Sequence, residues 1–217
     1  MNLIRHYAEP KRLLLTWQAP EALGVRIRWA VGELTIDTSE ATFSYIEDPM
    51  FQELNGKPLE YVRQLGFVGY PAFNPKRRLH HDSVLEAFTR RLPHRSRSDI
   101  DRYRSHFRIA PELEASTMMM LALTEAKLPS DGFALVDPFD DHAAQREFLL
   151  EISGYRYYAH DCSLDVAIGS DVEFFLEPTN PVDPQAVKIV WNSKTAGYVN
   201  RFQVQAFRSW MRDGRVR

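Results

Sequence analysis

The stretch EPTNPVDPQAVKI, residues 177–189, sets three prolines in a run that otherwise alternates as a strand does. Proline fixes φ and offers no donor to a β-ladder, so Pro178, Pro181 and Pro184 cannot all lie inside a central strand and must shape a tight connection. The flanks, residues 171–176 and 186–191, are rich in β-branched and aromatic side chains, as two adjoining strands would be. Asn180 and Asp183, each followed by a proline, are short polar groups suited to bond nearby backbone and stiffen the turn. A rigid loop joining two strands is therefore expected, and with it a β module in the last third of the chain.

Working back from that loop, β-pattern is expected at residues 147–152 and again, after a glycine at 154, at 155–158. Beyond the loop, a closing helix over 202–213 buries Phe202, Ala206, Phe207, Trp210 and Met211, with Gly214 set to stop it. Near the start, residues 12–17, 24–31 and 41–46 read as short strands of a small antiparallel sheet. In the second, Val25, Ile27, Trp29 and Val31 alternate with Arg26 and Arg28, the period-two sign of a half-buried strand. In residues 65–75, glycines and prolines punctuate Phe67, Tyr70 and Phe73, and aromatics so placed usually plug the edge of a core.

Helices are expected next. Asp82 is placed to cap one in which Val84, Leu85, Phe88 and Leu92 share a face, leaving Arg90 and Arg91 towards solvent before Pro93. Ser98 is placed to cap a second, with Ile100, Tyr103 and Phe107 inward, and a third over 113–127 uses Met118, Met119 and Met120 as core filler. A turn at 129–132 and a short strand at 132–136 lead into an acidic, proline-bearing segment at 137–142. The fold class expected is α+β. Residues 1–140 form an N-terminal domain with a small antiparallel sheet and a helical segment, and residues 141–217 a small β-barrel-like module with a C-terminal helix.

With 217 residues, the chain has room for two such domains, and 44% hydrophobic with 26% charged residues is ordinary for a folded protein. No apolar stretch approaches the ~18 residues of a membrane span, and Met1 is not followed by a charged-then-apolar leader. The single cysteine, Cys162, excludes an internal disulfide and a zinc finger and fits the reducing cytoplasm. The formal charge of −2 conceals a segregation: residues 76–108 carry ten Lys and Arg against four Asp and Glu. A block of this kind meets phosphate or an acidic partner, or is simply a solvated helix face.

Two groups carry metal-ligating side chains close in sequence, His80 with His81 and Asp137 with Asp140, Asp141 and His142. Adjacent histidines do not easily turn both rings to one ion, and acidic loop clusters are usually only solvated. His160, Asp161 and Cys162 would need a shared face for thiol chemistry, which strand alternation denies to Asp161. No catalytic residue, metal or cofactor is assigned, and a non-enzymatic protein is expected.

The order Gly154-Tyr-Arg-Tyr-Tyr158, then Leu176-Glu-Pro-Thr-Asn-Pro-Val-Asp-Pro-Gln-Ala-Val-Lys-Ile189, then Ala196-Gly-Tyr-Val-Asn-Arg201 and an amphipathic helix resembles the HIRAN domain, over about a third of the chain. HIRAN domains are small barrel-like β modules whose best understood role is to hold the 3′-hydroxyl end of single-stranded DNA. The resemblance implies that Arg156 meets a phosphate, Tyr157 stacks on the terminal base, Asp183 accepts from the terminal hydroxyl and Asn180 supports the loop. Tyr198 and Arg201 stand where the family makes further backbone contacts. Val182 replaces an aromatic of the DNA-binding members, which removes one wall and on the order of 1–3 kcal/mol of stacking.

Val31-Gly-Glu-Leu-Thr35 and Phe43-Ser-Tyr45, with Leu85-Glu-Ala-Phe-Thr-Arg-Arg-Leu-Pro93, resemble the N-terminal subdomain of HipA-like toxin kinases. Neither a Gly-rich phosphate loop nor a paired catalytic Asp and Asn motif follows, so ATP chemistry is not implied. The expected partner is single-stranded DNA or another nucleic acid, in repair or defence, with a protein partner at the N-terminal domain as a further expectation. The alternative is a protein-interaction or regulatory module of HipA-type toxin–antitoxin systems that does not bind DNA.

Overall fold

The computed structural model describes residues 2–38, 40–139, 146–162 and 169–216. The fold is mixed α+β, with two compact units, one of Leu3–Phe148 and one of Leu149–Arg217 together with Met1–Asn2. The boundary expected at 140/141 lies outside the described residues. Arg146 and Glu147 belong to the first unit: Glu147 Oε2 accepts from the backbone N–H groups of Arg5 and His6 at 2.6 and 2.9 Å. Arg146 pairs at 2.8 Å with buried Asp137, whose carboxylate also accepts from the Tyr7 hydroxyl at 2.6 Å.

The first unit is built on five antiparallel strands: β1 (Arg12–Gln18), β2 (Arg28–Asp37), β3 (Glu40–Tyr45), β4 (Leu79–His80) and β5 (Phe133–Val136), in the order β4-β3-β2-β1-β5. The alternation read from Val25 onward becomes strand only at Arg28. Gly24, at φ 68°, closes a 3-10 turn over Glu21–Leu23 and Ile27 stays 48% exposed. From Trp29 to Gly32, β2 is buried on both faces, as a central strand must be. One support is α1 (Met50–Asn55), whose buried Asn55 accepts from Ala30 N–H at 2.8 Å and donates to Ala30 O at 3.0 Å. A second six-residue helix, α2 (Leu59–Gln64), follows.

The aromatic loop plugs the core as expected. Phe67, Tyr70 and Phe73 are buried, with Phe73 stacked on Phe43 and Tyr70 on Phe88. The Tyr45 hydroxyl fixes this loop, accepting from Tyr70 N–H at 2.9 Å and donating to Phe73 O at 3.0 Å. His80 lies in the same cluster while His81 faces Glu40, so the two rings diverge.

The helices that follow are shorter than expected: α3 (Val84–Thr89), α4 (Ile100–His106) and α5 (Thr117–Thr124). Neither Asp82 nor Ser98 takes the cap position. Ser83 and Asp99 do, without side-chain cap bonds, whereas Ser116 caps α5 by accepting from Met119 N–H at 3.0 Å. Met118 and Met120 are core residues. Arg91 departs most from its sequence reading: it is buried, because its guanidinium finds Asp131, two backbone carbonyls and the Tyr70 ring.

In the second unit, β6 (Glu173–Leu176), β7 (Val187–Trp191) and β8 (Lys194–Tyr198) form an antiparallel three-stranded meander among the described residues. Residues 147–152 do not form the expected strand; only Ser153 pairs, with Tyr198. The run after Gly154 is a helix, α6 (Tyr155–Cys162), where a strand was expected. Gly154 turns the chain at φ 76°, and its carbonyl accepts from Tyr157 and Tyr158 N–H, which starts the helix. Tyrosine favours strands because it fits a pleated half-buried surface, whereas Tyr155 and Tyr157 stay exposed here. The closing helix, α7 (Val204–Arg212), buries Val204, Phe207 and Trp210, with Phe202 buried just before it and Phe207 against Phe174 of β6; Ala206 and Met211 are only half-buried.

Candidate functional site

The loop between β6 and β7 has the rigidity that its prolines require. Glu177 N–H donates to Ala186 O across its mouth at 3.1 Å, and Asn180 N–H donates to Glu177 O at 3.0 Å. Asn180 Oδ1 accepts from Val182 and Asp183 N–H at 2.9 and 3.1 Å, while Asp183 Oδ1 accepts from Gln185 N–H at 2.8 Å. Both short polar residues thus bond the backbone of their own turn, the role read from their positions.

Glu177 is the hub beneath this turn. Its carboxylate accepts from Asn180 Nδ2 at 2.7 Å, Lys188 Nζ at 2.9 Å and the Tyr198 hydroxyl at 2.8 Å. These three donors, Asn180 first, pull the carboxyl down to about 2. Burial, with Tyr158 and Glu177 beside it, pushes the Tyr198 phenol above its ordinary range.

From Tyr198 the contacts continue onto α6. The Tyr158 hydroxyl lies 3.4 Å from that of Tyr198, with ring centroids 5.8 Å apart, and the Tyr157 ring meets Tyr158 edge-on at 5.1 Å. Tyr157 itself is 73% exposed, a flat aromatic face turned to solvent. The close approach of residues 152–153 to β8 depends on Gly197, at φ 146°, since a Cβ there would stand 2.5 Å from Ser153 O.

Of the six residues singled out by sequence, Asn180, Tyr198 and Tyr157 are thus joined by contiguous contacts, and Asp183 is joined to Asn180 through its backbone. Arg201 is exposed after β8; protein atoms around its guanidinium lower its pKa, and the negative charge of Asp183 acts in the opposite sense. Arg156 is exposed on α6. Val182, at the loop tip, is 91% exposed. Sequence alone does not mark Glu177, Lys188 or Tyr158 as site residues. A signal existed for Lys188, a lone cation in the apolar run Ala186–Val190 that needs a nearby acid once the strand is half-buried.

Asp140, Asp141 and His142 lie outside the described residues, as do the side chains of His160, Asp161 and Cys162. Among the described residues, no helix is long and apolar enough to cross a membrane. No protein-family model, curated protein or solved structure matches the chain.

Proposed function

We propose that the second unit binds the 3′ end of single-stranded DNA, or of a similar nucleic acid strand, without catalysing a reaction on it. The observation that carries this reading is the unbroken path from the exposed Tyr157 ring through Tyr158, Tyr198 and Glu177 to the turn that holds Asn180 and Asp183. A solvent-facing phenol ring stacks on any base, at roughly 1–3 kcal/mol. Arg156 and Arg201 supply cations for phosphate, and the Asp183 carboxylate suits a terminal hydroxyl while repelling a terminal phosphate. Such a site reads an end and not a sequence, as a component of repair or defence in the reducing cytoplasm would.

The second reading is a protein-interaction or regulatory module that does not bind DNA, and Val182 favours it: at 91% exposure it offers a small apolar tip in place of a second stacking wall. Fluorescence anisotropy of labelled single strands ending in a 3′-hydroxyl or a 3′-phosphate, at two salt concentrations, decides between them. End binding requires a preference for the hydroxyl. Affinities weaker than ~100 µM for both strands at low salt, at the weak limit of non-specific DNA binding, would leave the second reading.

A further inference from the structure

Glu177 touches both halves of the candidate site. We propose that it is the positioning residue of the end-binding site, a single carboxylate that sets the turn carrying Asp183 and the tyrosine series ending in Tyr157 relative to one another. The assignment rests on the reading that this unit binds strand ends.

On the side of the turn, the argument concerns the Asn180 amide. A carboxylate only accepts, so the Asn180 group 2.7 Å from Glu177 Oε2 must be the donating Nδ2. That choice aims Oδ1 at the N–H groups of Val182 and Asp183. The flipped amide would set two donors against those N–H groups and an oxygen against the carboxylate. Glu177 thereby fixes the orientation of the amide on which the Asp183 backbone hangs.

On the side of the ring, the same Oε2 accepts from the Tyr198 hydroxyl at 2.8 Å. That bond consumes the Tyr198 proton and leaves its oxygen to accept from Tyr158, whose ring is the support of Tyr157. Lys188, opposite Tyr198 across the β7–β8 ladder, holds Oε1 at 2.9 Å and completes the set. Glutamine has nearly the shape of glutamate, but its NH₂ group cannot accept, so it fails to serve three donors. The substitution therefore loosens the frame without emptying it.

The test uses the full chain with Glu177→Gln and Tyr198→Phe, measuring anisotropy on 3′-hydroxyl and 3′-phosphate strands and urea unfolding of each variant. The expected result for E177Q is a loss of about tenfold in affinity for the hydroxyl end with little change for the phosphate end, so that the preference collapses while the protein stays folded. A purely structural role would leave the ratio of the two affinities intact. Tyr198→Phe removes one bond to Glu177 and keeps the ring, so it serves if E177Q does not fold, and a partial loss of preference is expected. A wild-type protein with no preference overturns the end-binding reading and this assignment with it. A wild-type preference that survives in the folded variants overturns the assignment alone.

Discussion

Arg91 lays both terminal nitrogens on the carboxylate of Asp131, at 2.7 and 2.9 Å, across 40 residues of sequence. Its Nε donates to Ala126 O at 2.8 Å, and the guanidinium lies over the Tyr70 ring. The pair thus fastens the end of α3 to the start of β5 and to the aromatic loop. Burial alone would raise the Asp131 carboxyl, but the hydrogen bonds and charge of Arg91 outweigh it and hold it below the ordinary range.

Arg91→Ala should therefore cost about 3–5 kcal/mol, since it strands a half-buried carboxylate and two carbonyls. Arg91→Lys should recover only part of that, because an ammonium cannot fork onto both oxygens. Urea unfolding of the full chain checks this. Equal stability of R91A and wild type would show that the pair is not coupled to folding.

Asn55 does for β2 what a neighbouring strand would do. Its side chain closes both backbone groups of Ala30 and also donates to Phe51 O at 3.0 Å. Asn55→Ala leaves the buried Ala30 N–H and C=O without these partners, for an expected loss of about 2–4 kcal/mol. Asn55→Asp should also destabilise, as a carboxylate cannot donate to Ala30 O. The check is the shift in the urea midpoint at unchanged slope.

Glu177 predicts an acid dependence of stability. Its folded-state carboxyl lies at about 2, below the ordinary value of 4.5. A depressed carboxyl contributes stability that is fully present above the unfolded value and is lost as pH falls through the folded one. The stability difference between wild type and Glu177→Gln should thus be constant near neutrality and shrink between about pH 4.5 and 2. Urea unfolding of both proteins across that interval measures it, and the comparison cancels the other carboxylates. A difference that does not change with pH would mean that Glu177 titrates as it does in the unfolded chain.

What was legible in the sequence is what short-range chemistry decides. Three prolines between β-branched runs foretold the β6–β7 loop, and Asn180 and Asp183 bond their own turn as their places beside Pro181 and Pro184 suggested. Glycines and prolines around Phe67, Tyr70 and Phe73 foretold an aromatic plug. Several of the misses share a cause in partners far along the chain. Arg91 reads as solvated by helical spacing, until Asp131 arrives. Tyr155–Tyr158 reads as strand, but Gly154 starts a helix and Tyr198 supplies the ring that Tyr158 packs against. Glu177 reads as a loop acid because Lys188 and Tyr198 stand 11 and 21 residues away. α1 and α2, six residues each, are too short for a helical period to emerge.

Tyr157 offers the sharpest separation of stability from binding. Tyr157 is 73% exposed and its ring meets the protein edge-on at Tyr158, so Tyr157→Ala should change stability by no more than about 0.5 kcal/mol. If the exposed face stacks on a terminal base, the same substitution should weaken single-strand binding by about fivefold to 150-fold, the span of roughly 1–3 kcal/mol. Tyr157→Phe keeps the face and should bind within about twofold of wild type, because stacking does not use the hydroxyl. Asp183→Asn should act differently, narrowing the gap between hydroxyl and phosphate ends by removing the charge that repels the latter. Anisotropy titrations of the four proteins separate the two effects: a ring that can be deleted without loss of affinity takes no part in holding the strand, whatever Asp183 does.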